Sequence, residues 1–193
     1  MELKSLEVFF EIAKQKPKKK LVIAAAEDEP VLVAVQEATG IGLIEPIFVG
    51  DKGKVKQISM QIGFDISNFE FIEESNPAKS SKIAVGIVRE GVAQIIMKGL
   101  VNTADYLKAI LDKENGLRTD SLLSHIGIFQ IPAYHKLLGL TDAAQNIAPT
   151  LDEKVAIIKN SVDLFHRLGV ELPKVALLAA VETVNSKMPA TTD

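Results

Sequence analysis

Residues 94–105, with the sequence QIIMKGLVNTAD, combine side chains and spacing that suit the binding of an anion. The apolar run ending at Met97 predicts a buried parallel strand, Gly99 a tight turn, and Asn102 or Thr103 the capped start of a helix. A helix that starts at the carboxyl end of a parallel strand presents free backbone N–H groups, and Lys98 adds a positive charge beside them. The segment therefore predicts a phosphate-type site, although an ordinary strand-to-helix connection explains the same pattern.

Other polar side chains are expected at strand ends and in loops, where an open sheet binds ligands. They are Arg118, Ser124, Asp142 and Asn146. Arg118 offers a fork for bidentate phosphate contact, and Ser124 offers a neutral hydrogen bond. Two structural alternatives stay open, because Arg118 also suits an exposed loop and Asp142 also suits a cap on the following turn.

The sequence contains no residue pattern typical of a metal site or a nucleotide site. His125 lies in an apolar segment and has no carboxylate at matched spacing, which favours a structural histidine over a general base. No group of histidines and carboxylates has metal-ligand spacing, and cysteine is absent, so we predict no bound metal. The glycine-containing turns match neither the dinucleotide fingerprint nor the phosphate loop of nucleotide hydrolases.

Composition and charge describe an ordinary α/β protein. The 193 residues are 47% hydrophobic, 24% charged and 5% aromatic. A formal charge of -3 gives no general attraction to nucleic acid or to an anionic membrane, so we expect neither as a partner. We find no bilayer-spanning apolar run and no signal-peptide core, and therefore expect a cytoplasmic protein.

The elements that position these residues alternate between strand and helix. Strands are predicted at residues 21–26, 44–49, 69–72 and 94–97, and helices at residues 3–16, 31–39, 52–62, 77–90 and 104–113. Short connections between them predict a mainly parallel sheet covered by helices on both faces. The acidic stretch Glu27-Asp28-Glu29-Pro30 is explained by the start of the second helix, with a border of a ligand cleft as the alternative.

The alternation of predicted strands and helices ends at about Gly116. Apolar runs at residues 122–132 and 137–140, joined by a polar turn, predict a hairpin and a change of domain, so we divide the chain into domains 1–132 and 133–193. Thr150 and Glu153 have the spacing of a capping box. Residues 173–180 are predicted to form a further buried strand.

Several segments together resemble the phosphate acetyltransferase and phosphate butyryltransferase family, and most closely its butyryltransferase branch. They are Met97–Asp105, Gly116–Thr119, Leu122–His125, Thr141–Pro149 and Val175–Pro189. The resemblance implies transfer of a short-chain acyl group between coenzyme A and inorganic phosphate. It also implies a two-domain, three-layer α/β/α fold similar to that of isocitrate and isopropylmalate dehydrogenases, with the active site in the cleft between the domains.

By the same resemblance, the chain binds acyl-CoA and phosphate and needs no cofactor beyond coenzyme A as substrate or product. The substrate-binding residues it implies are Lys98, Gly99, Asn102, Thr103, Arg118, Ser124, Asp142 and Asn146. The family's main catalytic roles belong to a Ser-Arg-x-Asp-Ser type segment without a counterpart here, so the catalytic residues are unknown. We expect an incomplete second domain, a fragment of a longer protein, and free strand edges that favour a homo-oligomer.

Two other functions remain as alternatives. The first is a non-catalytic module that binds coenzyme A or phosphate and lacks the C-terminal catalytic segment. The second is a metal-dependent decarboxylating dehydrogenase of the same fold, which would need clustered aspartates and a cofactor loop that this sequence lacks.

Overall fold

The computed structural model describes residues 4–193. These residues fall into two compact units, Phe10–Thr119 as the first and Asp120–Asp193 together with the N-terminal residues through Phe9 as the second. The helices are α1 (Glu7–Lys14), α2 (Glu29–Gly40), α3 (Lys52–Ile62), α4 (Pro77–Arg89), α5 (Thr103–Ile110) and α6 (Leu151–Arg167). The strands are β1 (Lys19–Ala24), β2 (Ile44–Gly50), β3 (Glu70–Glu73), β4 (Ile95–Lys98), β5 (Gly127–Phe129) and β6 (Leu138–Leu140).

The first unit is built on a parallel sheet of four strands in the order β3-β2-β1-β4. Strand β1 lies inside the sheet, where Ile23 is level with Phe48 on one side and Met97 on the other. Its apolar residues are buried without interruption from Leu21 to Ala26, as expected for an inner strand with both faces covered. The predicted parallel sheet is confirmed, but β4, predicted as a buried strand, is an edge strand in which Ile95 is 42% exposed.

Helices cover both faces of this sheet because side chains alternate along each strand. One face joins β1 and β2 to α2 and α3 through Leu21, Ile23, Phe48, Leu32, Val35 and Val55. The opposite face joins the same strands to α4 through Val22, Ala24, Ile47, Val49 and Ala84. The three-layer α/β/α arrangement is therefore confirmed, while the likeness to isocitrate dehydrogenase stays a prediction.

Local capping chemistry sets the helix boundaries. Helix α3 has the predicted limits because the Asp51 side chain accepts a hydrogen bond from the Lys54 N–H and Gly63 ends the helix at a φ of 71°. Asn76 caps α4 in the same way, accepting from the Lys79 N–H at 3.0 Å. Helix α5 ends at Ile110, three residues before the predicted limit. The predicted first helix starts at Glu7, and Leu3 lies outside the described residues.

The second unit contains the predicted hairpin and a long helix. Strands β5 and β6 pair antiparallel, with Gly127 opposite Leu140, although β5 is shorter than the run predicted at residues 122–132. Helix α6 begins with the predicted capping box of Thr150 and Glu153. The predicted domain boundary between residues 132 and 133 falls between these two paired strands, whereas the chain passes from one compact unit to the other between Thr119 and Asp120.

The strand predicted at residues 173–180 is wrong. This stretch has no regular secondary structure, and Leu177 and Leu178 are 73% and 83% exposed. Apolar, β-prone residues form a strand only where a neighbouring backbone completes the ladder, and no residue within 4–193 pairs with this stretch. In the same described range, no helix is long and apolar enough to cross a lipid bilayer.

Candidate functional site

The connection between β4 and α5 lies at the carboxyl edge of the parallel sheet. Lys98 ends β4 beside Ala24 of β1. The N–H of Gly99 then donates to the carbonyl of Ala24 at 2.8 Å, and the N–H of Leu100 donates to that of Ala25 at 2.7 Å. A Cβ on Gly99 would overlap the Ala25 carbonyl oxygen, so glycine permits this close backbone approach.

A buried serine fixes the neighbouring end of β1. Ala25 has a φ of 54°, which is unusual for a residue with a side chain. Its N–H donates to the hydroxyl oxygen of Ser80 at 2.7 Å, and that hydroxyl donates to the carbonyl of Val49 at 3.0 Å. Ser80 of α4 thus ties together the ends of β1 and β2. Sequence reasoning missed this contact because Ala25 and Ser80 are 55 positions apart.

Helix α5 begins as predicted, with Asn102 as its cap. The Asn102 Oδ1 accepts from the Asp105 N–H at 2.8 Å, and its Nδ2 donates to the Asp105 carboxylate. The Asn102 Oδ1 and one of its two Nδ2 hydrogens are therefore used inside the protein. Thr103 is the first helical residue and is exposed. The backbone N–H groups of Thr103 and Ala104 have no partner within the helix and can face a ligand, whereas the Asp105 N–H is used by the cap.

The charges around the α5 start are balanced. Lys98 is half-buried, and its ammonium group donates to the Gly99 carbonyl at 3.3 Å, which leaves further N–H donors for a ligand. Asp105 places a carboxylate in the same first turn, where it complements the helix dipole and opposes an incoming anion. The structure thus brings Lys98, Gly99, Asn102 and Thr103 together at one connection, with a single acidic neighbour in that turn.

The first residue of the acidic stretch after β1, Glu27, does not belong to the start of α2 as predicted. Glu27 is only 7% exposed, and its carboxylate accepts a hydrogen bond from the Asp51 N–H at 3.2 Å, next to the start of α3. Asp28 occupies the cap position of α2 without a side-chain capping bond. Glu29 and Pro30 stand in the first turn of α2, as predicted. No group of His, Asp and Glu within residues 4–193 could hold a metal ion.

A second group of predicted residues lies in the second unit and centres on Asp142. One carboxylate oxygen accepts from the Ala144 and Gln145 N–H groups at 3.0 and 2.8 Å. The other accepts from the His125 N–H at 2.9 Å and from the Asn146 side-chain amide at 2.7 Å. The alternative that Asp142 caps the following turn is therefore confirmed.

These contacts also set the protonation state of Asp142. Partial burial on its own raises the pKa of this carboxyl group, but the hydrogen bonds from Gln145, His125, Ala144 and Asn146 outweigh it. The pKa of Asp142 lies well below its usual range as a result. Near neutral pH the group is an ionised hydrogen-bond acceptor and not a proton donor.

Ser124 belongs to the same unit and is held by a residue that sequence reasoning missed. The Asn160 side-chain amide on α6 donates to the Ser124 hydroxyl at 2.9 Å and to the Leu122 carbonyl at 2.8 Å. Asn146 also donates to the Leu123 carbonyl at 3.1 Å. An Asn on the partly buried face of a helix is the available sequence signal, since buried polar groups need partners.

The predicted site residues thus form two groups, one in each unit. Lys98, Gly99, Asn102 and Thr103 stand at the β4–α5 connection, and Ser124, Asp142 and Asn146 form the network just described. Arg118 lies exposed beyond α5 and, among the described residues, makes no hydrogen bond with the β4–α5 connection of its own unit. An exposed loop position is the alternative that its sequence context left open.

The first unit is of the open parallel α/β class, with a helix start, a lysine and a required glycine at the carboxyl edge of its sheet. Comparison with known proteins makes this more specific. A family profile described as "Phosphate acetyl/butaryl transferase" matches residues 5–83 and 74–193. The chain belongs to the phosphate acetyl/butyryl transferase family.

Individual relatives agree with this assignment. The chain is 44% identical over 191 residues to a phosphate butyryltransferase of Clostridium acetobutylicum, covering 99% of this chain and 64% of that protein. It is 43% identical over 180 residues to a phosphate butyryltransferase of Clostridium beijerinckii, covering 93% of this chain and 60% of the relative. The chain therefore spans less than two thirds of the length of these relatives.

A solved structure supports the same conclusion at the level of fold. The crystal structure of a branched-chain phosphotransacylase from Enterococcus faecalis V583 superposes with a TM-score of 0.73 at 31% identity. The match covers 90% of this chain and 60% of that chain.

Proposed function

We propose that this protein is a phosphate acyltransferase that moves a short-chain, butyryl-like acyl group between coenzyme A and inorganic phosphate. The observation that carries the proposal is the 44% identity over 191 residues to a phosphate butyryltransferase. The β4–α5 connection supplies chemistry that suits one substrate, because a lysine and free helix N–H groups are complementary to a phosphate dianion.

The reaction needs an oriented phosphate beside a thioester. A phosphate oxygen attacks the thioester carbonyl carbon, a C–O bond forms, the C–S bond breaks, and coenzyme A leaves as its thiolate. The thiolate then takes up a proton to give the free thiol. Holding a phosphate oxygen against the face of the carbonyl carbon lowers the entropic part of the barrier, and donors near the carbonyl oxygen stabilise the tetrahedral oxyanion. No metal is needed for these steps.

In this proposal Lys98 and the first-turn N–H groups of α5 hold the phosphate, while Gly99 allows the close backbone approach. Arg118 is a further phosphate ligand, since a guanidinium group can bind phosphate with two parallel hydrogen bonds. Ser124, Asp142 and Asn146 keep their predicted place among the substrate-binding residues, with the Asp142 network shaping the loop that presents them. The residues that catalyse the chemical step are not assigned.

The proposal extends to partners and location. Acyl-CoA and inorganic phosphate are the substrates, coenzyme A is a substrate or product, and no further cofactor is required. We also propose a cytoplasmic homo-oligomer. An oligomer would cover exposed apolar side chains such as those of Leu172, Leu178 and Val184.

The test is an assay of butyryl-CoA with phosphate that measures free thiol and butyryl phosphate, together with phosphate binding by calorimetry. Three variants of the full chain probe the β4–α5 connection. Lys98→Ala should weaken phosphate binding about tenfold, because it removes the positive charge beside the helix start. Asp105→Asn should strengthen it, because it removes the opposing carboxylate. Lys108→Ala, in the last turn of the same helix, serves as the charge-matched control and should change nothing.

The outcomes separate the two functions. Turnover that depends on Lys98 supports the acyltransferase. Binding of coenzyme A or phosphate without any thiol release supports the non-catalytic module instead. Equal effects of Lys98→Ala and Lys108→Ala, or no effect of either, would show that the phosphate does not bind at the α5 start.

A further inference from the structure

Helix α3, the loop that follows it and β3 surround a cavity of about 610 Å³. This volume lies within the range typical of small-molecule sites. The cavity is distinct from the β4–α5 connection, because β3 and β4 form opposite edges of the sheet order β3-β2-β1-β4. Three strand spacings separate the two edges, roughly 14 Å.

Aromatic side chains form much of the cavity wall. Phe64, Phe69 and Phe71 line it, and behind them Phe48 stacks on Phe71 with ring centroids 6.0 Å apart. Phe64 and Phe69 are 5.9 Å apart. Phe69 and Phe71 are only half-buried, so parts of their rings remain available to a ligand. Such a surface favours a planar aromatic body that extends the ring contacts.

The rim carries a local excess of positive charge. Lys52 and Lys56 line the cavity one helical turn apart on α3, and the Lys52 ammonium lies 5.5 Å from the centroid of the Phe71 ring. Neither ammonium group has an ion-pair partner within residues 4–193. Asp65, which also lines the cavity, accepts a hydrogen bond from the Ser67 N–H at 2.9 Å. Two lysines therefore face one carboxylate, although the chain as a whole is acidic with a charge of -3.

The lining also contains a buried hydroxyl that has no partner. Ser59 of α3 is 2% exposed, and its hydroxyl makes no hydrogen bond with any described residue. The hydroxyl oxygen itself has almost no accessible surface, so it adds no polar contact to the cavity wall. Met60 stands on the same helix at the mouth of the cavity, 79% exposed, and adds a flexible apolar contact.

We propose that this cavity binds a small aromatic anion, with the ring packed against Phe69 and Phe71 and the acidic group beside Lys52 and Lys56. Two simple probes of nearly equal shape test the charge requirement. Naphthalene-1-sulfonate carries the anion, and naphthalene-1-sulfonamide is its neutral counterpart. Calorimetry on the full chain should give at least about fivefold tighter binding for the sulfonate.

Variants locate the site and separate charge from fold. Lys56→Ala should weaken sulfonate binding about three- to fivefold, because it removes one rim charge. Met60→Glu should weaken it at least as much, because it places a negative charge at the mouth. Lys54→Ala is the matched control: Lys54 lies on the same helix, pairs with Asp51 at 3.1 Å and does not line the cavity, so binding should be unchanged. Lys54, Lys56 and Met60 are exposed, so these variants should keep the fold.

Amide chemical shifts on sulfonate titration should change in residues 59–71. Three results would overturn the proposal: equal affinity for sulfonate and sulfonamide, equal weakening by Lys54→Ala and Lys56→Ala, or shift changes confined to other parts of the chain. The readout is direct binding of a probe unrelated to acyl transfer, so the result is independent of the enzymatic assay.

Discussion

The hydroxyl oxygen of Ser80 lies 2.7 Å from the backbone nitrogen of Ala25, across a separation of 55 residues. Through this bond α4 holds β1 at the point where its chain turns with a positive φ. The same hydroxyl donates to the carbonyl of Val49, so one buried side chain satisfies polar groups at the ends of two strands.

Ser80→Ala should lower the free energy of unfolding by about 1–3 kcal/mol, since it leaves the Ala25 N–H and the Val49 carbonyl without this partner. Urea unfolding followed by circular dichroism measures the change. The neighbouring Ser81→Ala is the control, because the Ser81 hydroxyl donates only to the Pro77 carbonyl of its own helix. The control should lie within about 0.5 kcal/mol of wild type, and an equal effect of both variants would contradict the role given to Ser80.

Gly99→Ala should destabilise the protein by about 1–3 kcal/mol, because the new methyl group meets the Ala25 carbonyl, a backbone atom that cannot rotate away. For Gly86→Ala we expect the opposite effect on stability. Gly86 lies inside α4 and has nothing within 4 Å of its would-be Cβ, so alanine should stabilise by about 0.5–1 kcal/mol. Unfolding midpoints at matched m-values compare the two. A neutral Gly99→Ala would mean that β4 and β1 do not approach as closely as described.

Asn102→Ala should lower the free energy of unfolding by about 1 kcal/mol, through loss of the α5 cap. Asn102→Ser should restore most of it, because serine also caps helices. The two side-chain hydrogen bonds that the structure shows for Asn102 are both to Asp105, so the serine variant should keep wild-type phosphate binding. Phosphate binding that is lost in the serine variant while its stability is kept would instead make the Asn102 amide a direct ligand.

The lowered pKa of Asp142 predicts how acid affects the second unit. Because the folded pKa lies below the unfolded value of about 3.9, the contribution of Asp142 is fully present above that pH. It is lost as the pH falls from there towards the folded value. Amide hydrogen exchange at His125, Ala144 and Gln145 should therefore be steady from pH 5 to 7, once corrected for intrinsic rates, and speed up at lower pH.

Asp142→Asn should speed exchange at the same amides at neutral pH, because the charged acceptor is gone. Asp163→Asn, an exposed position on α6, is the control and should leave exchange unchanged. Protection in Asp142→Asn equal to that in wild type would mean that the carboxylate does not hold the hairpin to the loop.

Sequence periodicity predicted most of the first unit because its helices and inner strand carry their signals locally. The limits of α3 follow from Asp51 and Gly63, and the start of α5 follows from Asn102. The second unit was harder to predict. Residues 173–180 have the composition of a buried strand, yet they remain exposed and irregular, because no described backbone pairs with them.

The candidate site shows the same contrast between contacts that are local in sequence and contacts that are distant. The grouping of Lys98, Gly99 and Asn102 was predictable because these residues are adjacent in sequence. The contacts of Glu27 with Asp51, and of Asn160 with Ser124, join positions 24 and 36 residues apart, and no local pattern identifies the partner in either pair. Such partners can be identified only in the folded structure, where each buried polar group needs a hydrogen-bond partner.

The position of β1 inside a parallel sheet affects how the protein folds while it is synthesised on the ribosome. Leu21 is paired with Ile95, and the bond from Lys20 to Gln94 spans 74 residues. At cellular synthesis rates these 74 residues take roughly 4 to 15 s to add. During that time the edge of β1 that later pairs with β4 has no neighbouring strand. Nascent chains halted before Ile95 should accordingly be cut by protease far faster than chains extended past Thr119, and chaperones should engage them in that window.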